Sequence, residues 1–107
     1  MDQKQIIRIA EQYAEVVVDH FPVQKIVLYG SYVNGIPTND SDIDIAVIVK
    51  SVKDDLLSVK AKLYKLRRDI DDRIEPILIT EGEDPSGFLN KVLNTGEVIF
   101  ESPKLFQ

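Results

Sequence analysis

From Gln3 to Phe21 apolar residues recur every three or four positions: Ile6, Ile9, Ala10, Tyr13, Val16 and Val17, with His20 closing the series. That period predicts an amphipathic helix with one face turned to a core. Phe21-Pro22 ends it, because a residue ahead of proline is pushed out of helical angles. His20, beside the apolar face at the helix end, reads as a capping or packing residue. The pattern then changes. Lys25 to Tyr29, KIVLY, is a short β-branched and aromatic run that predicts a buried strand, closed by Gly30-Ser31. Tyr32 to Asp40 carries Gly35, Pro37 and Asn39 and predicts a turn or helical turn followed by loop. Asp42 to Lys50, DIDIAVIVK, is apolar on both faces beyond Asp44, the pattern of a central strand covered on both sides.

A second helix follows, with Asp54 placed to cap it and Leu56, Val59, Leu63, Leu66 and Ile70 as its apolar stripe. Lys60, Lys62, Lys65, Arg67 and Arg68 lie on or beside the other face and read as solvated. Ile74 to Thr80, IEPILIT, predicts a third strand. Pro76 cannot donate a ladder hydrogen bond, so that strand belongs at an edge or is bulged. Asp84-Pro85 reads as the cap and first residue of a last helix that Gly96 closes, and Glu97 to Glu101, EVIFE, as a final strand. The predicted fold is α/β (α+β): one domain over residues 1–107, with a small mixed sheet of about four strands packed by helices.

Charge and composition narrow the chemistry. The 107 residues carry a formal net charge of -5, which repels a phosphate backbone and argues against direct nucleic-acid binding. The chain has no cysteine, hence no disulfide frame and no thiolate metal site. No apolar run has membrane-spanning length and no signal peptide is visible, so the expected location is the cytoplasm.

Against that background the stretch GSYVNGIPTNDSDIDIAV stands out. Asp40, Asp42 and Asp44 alternate, and a strand turns alternate residues to one face. Carboxylates gathered there repel unless a cation lies between them. Asp40 sits among Thr38, Asn39 and Ser41 and reads as part of the turn. Strands joined by a short connection usually pair, which brings Gly30-Ser31 and Asp42/Asp44 to one end of the sheet. Glycine lets a phosphate approach the backbone, and amide groups with the Ser31 hydroxyl can cradle it. Asp42 and Asp44 suit magnesium, which takes carboxylate oxygens and leaves positions for substrate phosphates. A two-metal site needs a third acid. Glu75 is the candidate, because it shares a face with Ile77 and Ile79, where a lone carboxylate is costly. Asp71 and Asp72, nearer the helix end, read as solvated, and Tyr29, Tyr32 and Tyr64 as packing residues.

Gly-Ser, ten residues, then Asp-Ile-Asp resembles the motif of the nucleotidyltransferase superfamily that includes DNA polymerase β. The short length and the wording GSYVNGIPTNDSDIDIAV resemble the minimal nucleotidyltransferases, the MNT group, which often serve as antitoxins of HEPN proteins. The leading helix, KIVLYGS, the long helix, the acid-bearing third strand and the closing NTGEVIFE follow the family's order over nearly the whole chain. Many members have Asp in an apolar context where this chain has Glu75-Pro76. The resemblance implies a magnesium-dependent enzyme that moves a nucleoside monophosphate, AMP from ATP, to a hydroxyl on a HEPN-domain partner. It assigns Asp42 and Asp44 to two Mg2+ ions, Glu75 to the catalytic metal and to deprotonation of the acceptor, and Gly30 and Ser31 to the β- and γ-phosphates. The alternatives are a weak or inactive nucleotide-binding module that neutralises a HEPN partner by contact, and a nucleotide sensor without turnover. Glu75-Pro76 favours contact alone; the intact Gly30, Ser31, Asp42 and Asp44 set opposes it.

Overall fold

The computed structural model describes residues 3–30, 42–53, 55–82 and 87–103. The elements are α1 (Gln3–His20), β1 (Lys25–Tyr29), β2 (Ile43–Val49), α2 (Leu56–Leu66) continued by a 3-10 turn (Arg67–Asp69), β3 (Ile74–Thr80), α3 (Phe88–Thr95) and β4 (Glu97–Glu101). The four strands form one mixed sheet in the order β3-β2-β1-β4. β1 pairs antiparallel with β2 and with β4, whereas β2 and β3 run parallel, joined by α2. This is the α+β sandwich expected from the hydrophobic pattern, and Pro76 does lie in an edge strand.

Alternation along β2 divides the interior. Ile43, Ile45, Val47 and Val49 point to one face and meet Ile26, Leu28 and Ile74 of the neighbouring strands. α1 covers this face with Ile6, Ala10, Tyr13, Ala14 and Val17, and α2 adds Leu63. Ala46 and Ile48 point the other way, with Val27 and Ile79, and are covered by Val92, Phe88, Leu89 and Leu93 of α3. The two longer helices thus share one side and the short α3 protects the other. Gly96 lets α3 turn into β4 against β1: a Cβ there would collide with Val27 and crowd the Leu28 and Val92 carbonyls.

Local details differ from the sequence reading. The cap of α2 is Asp55, whose carboxylate accepts from the Ser58 amide; Asp54 lies outside the described residues. A cap side chain must reach the third residue into the helix, which Asp55 does here because α2 starts at Leu56. Leu56 opens the helix 46% exposed, so the buried part of the stripe is Val59 and Leu63, with Leu66 and Ile70 packed beside it. The described part of α3 begins at Phe88, after Gly87 in the left-handed region; Asp84 and Pro85 lie outside the described residues. So do Tyr32 to Asp40. His20 caps α1 as expected, its Nδ1–H donating to the Val16 carbonyl at 2.8 Å.

A buried polar tie joins the two long helices. Tyr13, fully buried on α1, donates its hydroxyl to the Leu63 carbonyl of α2 at 2.7 Å. Burial raises the Tyr13 pKa far above the usual tyrosine range, so the phenol stays protonated and remains a donor. Tyr13→Phe keeps the ring and removes only this bond. Its expected cost is about 1 kcal/mol of unfolding free energy with an unchanged denaturant slope, as read in urea titrations. An unaltered midpoint would show that the bond adds nothing to stability.

Candidate functional site

The register of β2 carries the site. Asp44 lies opposite Tyr29 in the antiparallel pair and level with Glu75 in the parallel one. Tyr29, Asp44 and Glu75 therefore form one row across three strands, on the α3 side of the sheet. Asp42, exposed, stands just ahead of β2 on the same face. Alternation makes Ala46 and Ile48 the next residues on this face of β2, and Ile77 and Ile79 those of β3. The face changes within one strand step from apolar core to acids.

Gly30 ends β1 with φ +83°, a left-handed conformation that costs other L-residues. It also lies directly against Asp44. A Cβ added at Gly30 would overlap the Asp44 carboxylate, Oδ2 first. Glycine is thus required twice, once by the turn of the backbone and once by the approach of the acid. Gly30 and Asp44 meet at one sheet end as expected; Ser31 lies outside the described residues.

The electrostatics of the row are unfavourable as it stands. Asp44 is partly buried, and burial raises its pKa, with Asp42 and Glu75 raising it further by like-charge repulsion. The salt bridges among the described residues, Lys25 to Glu101 and Arg73 to Asp71, involve none of the three acids. Tyr29 packs its ring edge-on against Phe88, with centroids 5.7 Å apart, yet its buried hydroxyl has no hydrogen-bond partner among the described residues. Burial, then Asp44, Glu75 and Tyr64, push the Tyr29 pKa up to about 12. An all-oxygen set of acids beside an orphaned hydroxyl and a glycine cradle fits a hard divalent cation and a close-lying phosphate. Among the described residues, however, no three such ligands already converge into a metal nest.

Glu75 is engaged at its tip. Tyr64 of α2 reaches past the β3 edge and donates its hydroxyl to Glu75 Oε1 at 2.5 Å. Tyr64 is 38% exposed, so it is not the packing residue its sequence context implies. The hydrogen bond to Glu75, then desolvation and the Glu75 charge, raise its pKa. No periodicity could reveal this contact, because Tyr64 lies beside the buried stripe and meets Glu75 only through tertiary packing. Arg67, read as part of a solvated basic face, is structural. Its Nη1 donates to the Asp72 and Ile74 carbonyls, each at 2.8 Å, and its guanidinium lies 5.0 Å from the Tyr64 ring centroid. Lys60, Lys62, Lys65 and Arg68 are exposed as expected.

The neighbouring acids have other roles. Asp71, expected to be solvated, instead holds Arg73 through Nη2–Oδ2 at 2.7 Å and Nε–Oδ1 at 3.0 Å. Those bonds hold its carboxyl below the usual carboxylate range. A charged partner two residues away captured it, which spacing alone did not disclose. Asp72 is exposed. An apolar hollow of about 460 Å³, lined by Phe21, Val49, Val52, Val59, Leu63 and Leu78 among others, lies by the far end of β2. Among the described residues no carboxylate lines it. The chemistry-bearing groups place the candidate site at the Asp44 end of the sheet.

Comparison with known proteins agrees with this architecture. No curated protein sequence matches the chain. A nucleotidyltransferase assignment from Sulfolobus solfataricus has a solved structure that superposes with a TM-score of 0.70 at 24% identity, covering 98% of this chain and 88% of that one. A toxin–antitoxin structure with AMP-PNP gives a TM-score of 0.66 at 26% identity over 88% of this chain and 75% of the other. A complex of a tri-AMPylated Shewanella oneidensis HEPN toxin with an MNT antitoxin gives 0.62 at 24% identity, covering 94% and 73%. The sequence profile described as polymerase beta, nucleotidyltransferase matches residues 4–105, nearly the entire chain. The chain belongs to the polymerase beta-type nucleotidyltransferase family.

Proposed function

We propose that this protein transfers AMP from ATP to a hydroxyl on a partner protein, and that the partner is a HEPN-domain toxin. The observation that carries the reading is the Tyr29–Asp44–Glu75 row, with Gly30 pressed against Asp44, in a chain of this family. Solved relatives add support: one toxin–antitoxin structure contains AMP-PNP and another a tri-AMPylated HEPN toxin.

In this reading Asp42 and Asp44 would hold two divalent cations, with Glu75 as a further ligand to one. Once bound, they would supply charge neutralisation for an in-line displacement at phosphate. The chain does the rest. Gly30, lacking a side chain, leaves room for the triphosphate beside Asp44, and Ser31 adds a hydroxyl donor. Glu75 accepts the proton of the acceptor hydroxyl. The core behind the row excludes water from one side, which strengthens every charge interaction at Asp44. The negative surface disfavours a nucleic-acid acceptor and leaves positioning of the acceptor to a docked protein.

One observation favours a second reading, neutralisation of the partner by contact. The acids do not preform a three-ligand nest among the described residues. The two readings differ in their products. Co-expression with the partner should yield a partner mass increased by AMP on a tyrosine, and Asp42→Asn should remove the increase. A neutralised but unmodified partner would select the contact reading.

Nucleotide and metal should bind together. Calorimetry should show ATP binding that weakens sharply without Mg2+, and the Asp42→Asn, Asp44→Asn pair should remove the Mg2+-dependent part. Unchanged ATP affinity in that double variant would exclude this site.

The raised pKa of Asp44 also makes a stability statement about the metal-free protein. Its native state binds the proton more tightly than the unfolded chain does. The stabilisation is complete below the unfolded carboxylate pKa, about 3.9, and is lost as pH rises through the higher native value. Asp44→Asn should therefore melt higher than the native protein at pH 7 without metal, and this advantage should vanish in strong acid. A variant that melts lower at pH 7 would mean that the ionised Asp44 is already compensated in the folded chain.

A further inference from the structure

The third acid of this chain is a glutamate, with more rotatable bonds than an aspartate. An acid that must meet a cation at a fixed place gains from having those bonds restricted in advance. The structure restricts Glu75 from both ends. At the backbone, the following Pro76 biases Glu75 toward extended angles. Parallel pairing sets it level with Asp44. At the tip, the Tyr64 hydroxyl donates to Oε1. Tyr64 is itself steadied by the Arg67 guanidinium, 5.0 Å from its ring centroid. Arg67 in turn donates to the Ile74 carbonyl, immediately before Glu75, and to the Asp72 carbonyl. The contacts form a closed loop from the Ile74 backbone through Arg67 and Tyr64 back to the Glu75 carboxylate.

We propose that Tyr64, steadied by Arg67, is a positioning residue for Glu75, holding Oε1 so that Oε2 is presented to a divalent cation bound with the nucleotide. This rests on the nucleotidyl-transfer reading and specifies how its third carboxylate is set. The phenol bonds a carboxylate that is level with Asp44, so it stands beside the acid group and not on a remote surface. Its role explains why an exposed tyrosine and a half-buried arginine sit on a helix face otherwise given to lysines.

The test uses the full chain, stripped of metal and saturated with a non-hydrolysable ATP analogue. Mn2+ is titrated in and its free concentration read by electron paramagnetic resonance. Tyr64→Phe should weaken the Glu75-dependent Mn2+ binding about tenfold, the scale of one hydrogen bond to a charged group. The Mn2+ that Glu75 does not ligate should be unaffected, and so should the melting temperature, because the ring and its Arg67 contact remain. In a Glu75→Gln background Tyr64→Phe should change nothing further, and in Glu75→Asp, whose carboxylate is too short to reach the phenol, it should also be silent. Arg67→Lys, which cannot span two carbonyls and a ring, should produce a smaller loss in the same direction. Mn2+ affinity unchanged by Tyr64→Phe, or an equal loss in native and Glu75→Gln backgrounds, would overturn the positioning role while leaving the transfer reading intact. A native protein that binds no Mn2+ with the nucleotide analogue would overturn both.

Discussion

The pairing register of β2 is the constraint on which the rest of the structure depends. With Asp44 opposite Tyr29 and level with Glu75, Ile43, Ile45, Val47 and Val49 all face α1 and α2, while Ala46 and Ile48 face α3. A slip of one residue would turn Asp44 into the core under α1 and α2 and move Ile43 and Ile45 to the α3 face of the sheet. The apolar core thus enforces the position of the acids: burial of the hydrophobic side chains along the rest of the strand offsets the repulsion concentrated at its first turn of pleat. At about 25 cal/mol per Å² of buried apolar surface, the residues behind Asp44 contribute far more than the mutual repulsion of partly solvated carboxylates costs.

That balance gives the site its character. Asp44 is held near Asp42 and Glu75 by a sheet that cannot relax without losing its packing, and no salt bridge among the described residues offsets their charge. Tyr29 contributes in a similar way, with its ring stabilised on Phe88 and its hydroxyl without a partner among the described residues. Gly30 marks the opening, because any side chain there would strike Asp44. A left-handed glycine, a desolvated carboxylate and a hydroxyl without a partner among the described residues all occur within one layer of the sheet. Such concentration is what a binding site for an anion and its cations requires.

The outer ring of the site follows a different logic. Glu75 lies on an edge strand, where no further strand steadies it. Arg73 with Asp71, and Arg67 with the Asp72 and Ile74 carbonyls, knit the turn that leads from α2 into β3. These contacts fix where β3 begins and therefore at what height Glu75 enters the row. They are polar, partly exposed and individually modest in stability. Their effect is on geometry, since the parallel strand has no hairpin to define its start. Among the described residues no helix is long and apolar enough to cross a membrane.

The sequence alone determined the element order, the central place of β2, the edge place of β3 and the row of candidate acids. Those features depend on local chemistry: period two against period three and four, a proline without a donor, alternating aspartates, a Gly-Ser after an aromatic strand. Gly-Ser, ten residues, then Asp-Ile-Asp resembles the family's motif, and the fold brings Gly30 against Asp44. Only the tertiary structure decided the partners of side chains that reach between elements. Asp55 replaced Asp54 as the cap because the first turn of α2 begins one residue later than the pattern implied. Asp71 found Arg73, and Tyr64 with Arg67 left the expected packing and solvated roles to brace Glu75. A periodic pattern reports which face of an element is buried; it carries no information on where the tip of a long polar side chain ends. That is decided by how α2 docks over the β3 edge, a relation between residues distant in sequence and set by the packing of Val59 and Leu63 beneath them.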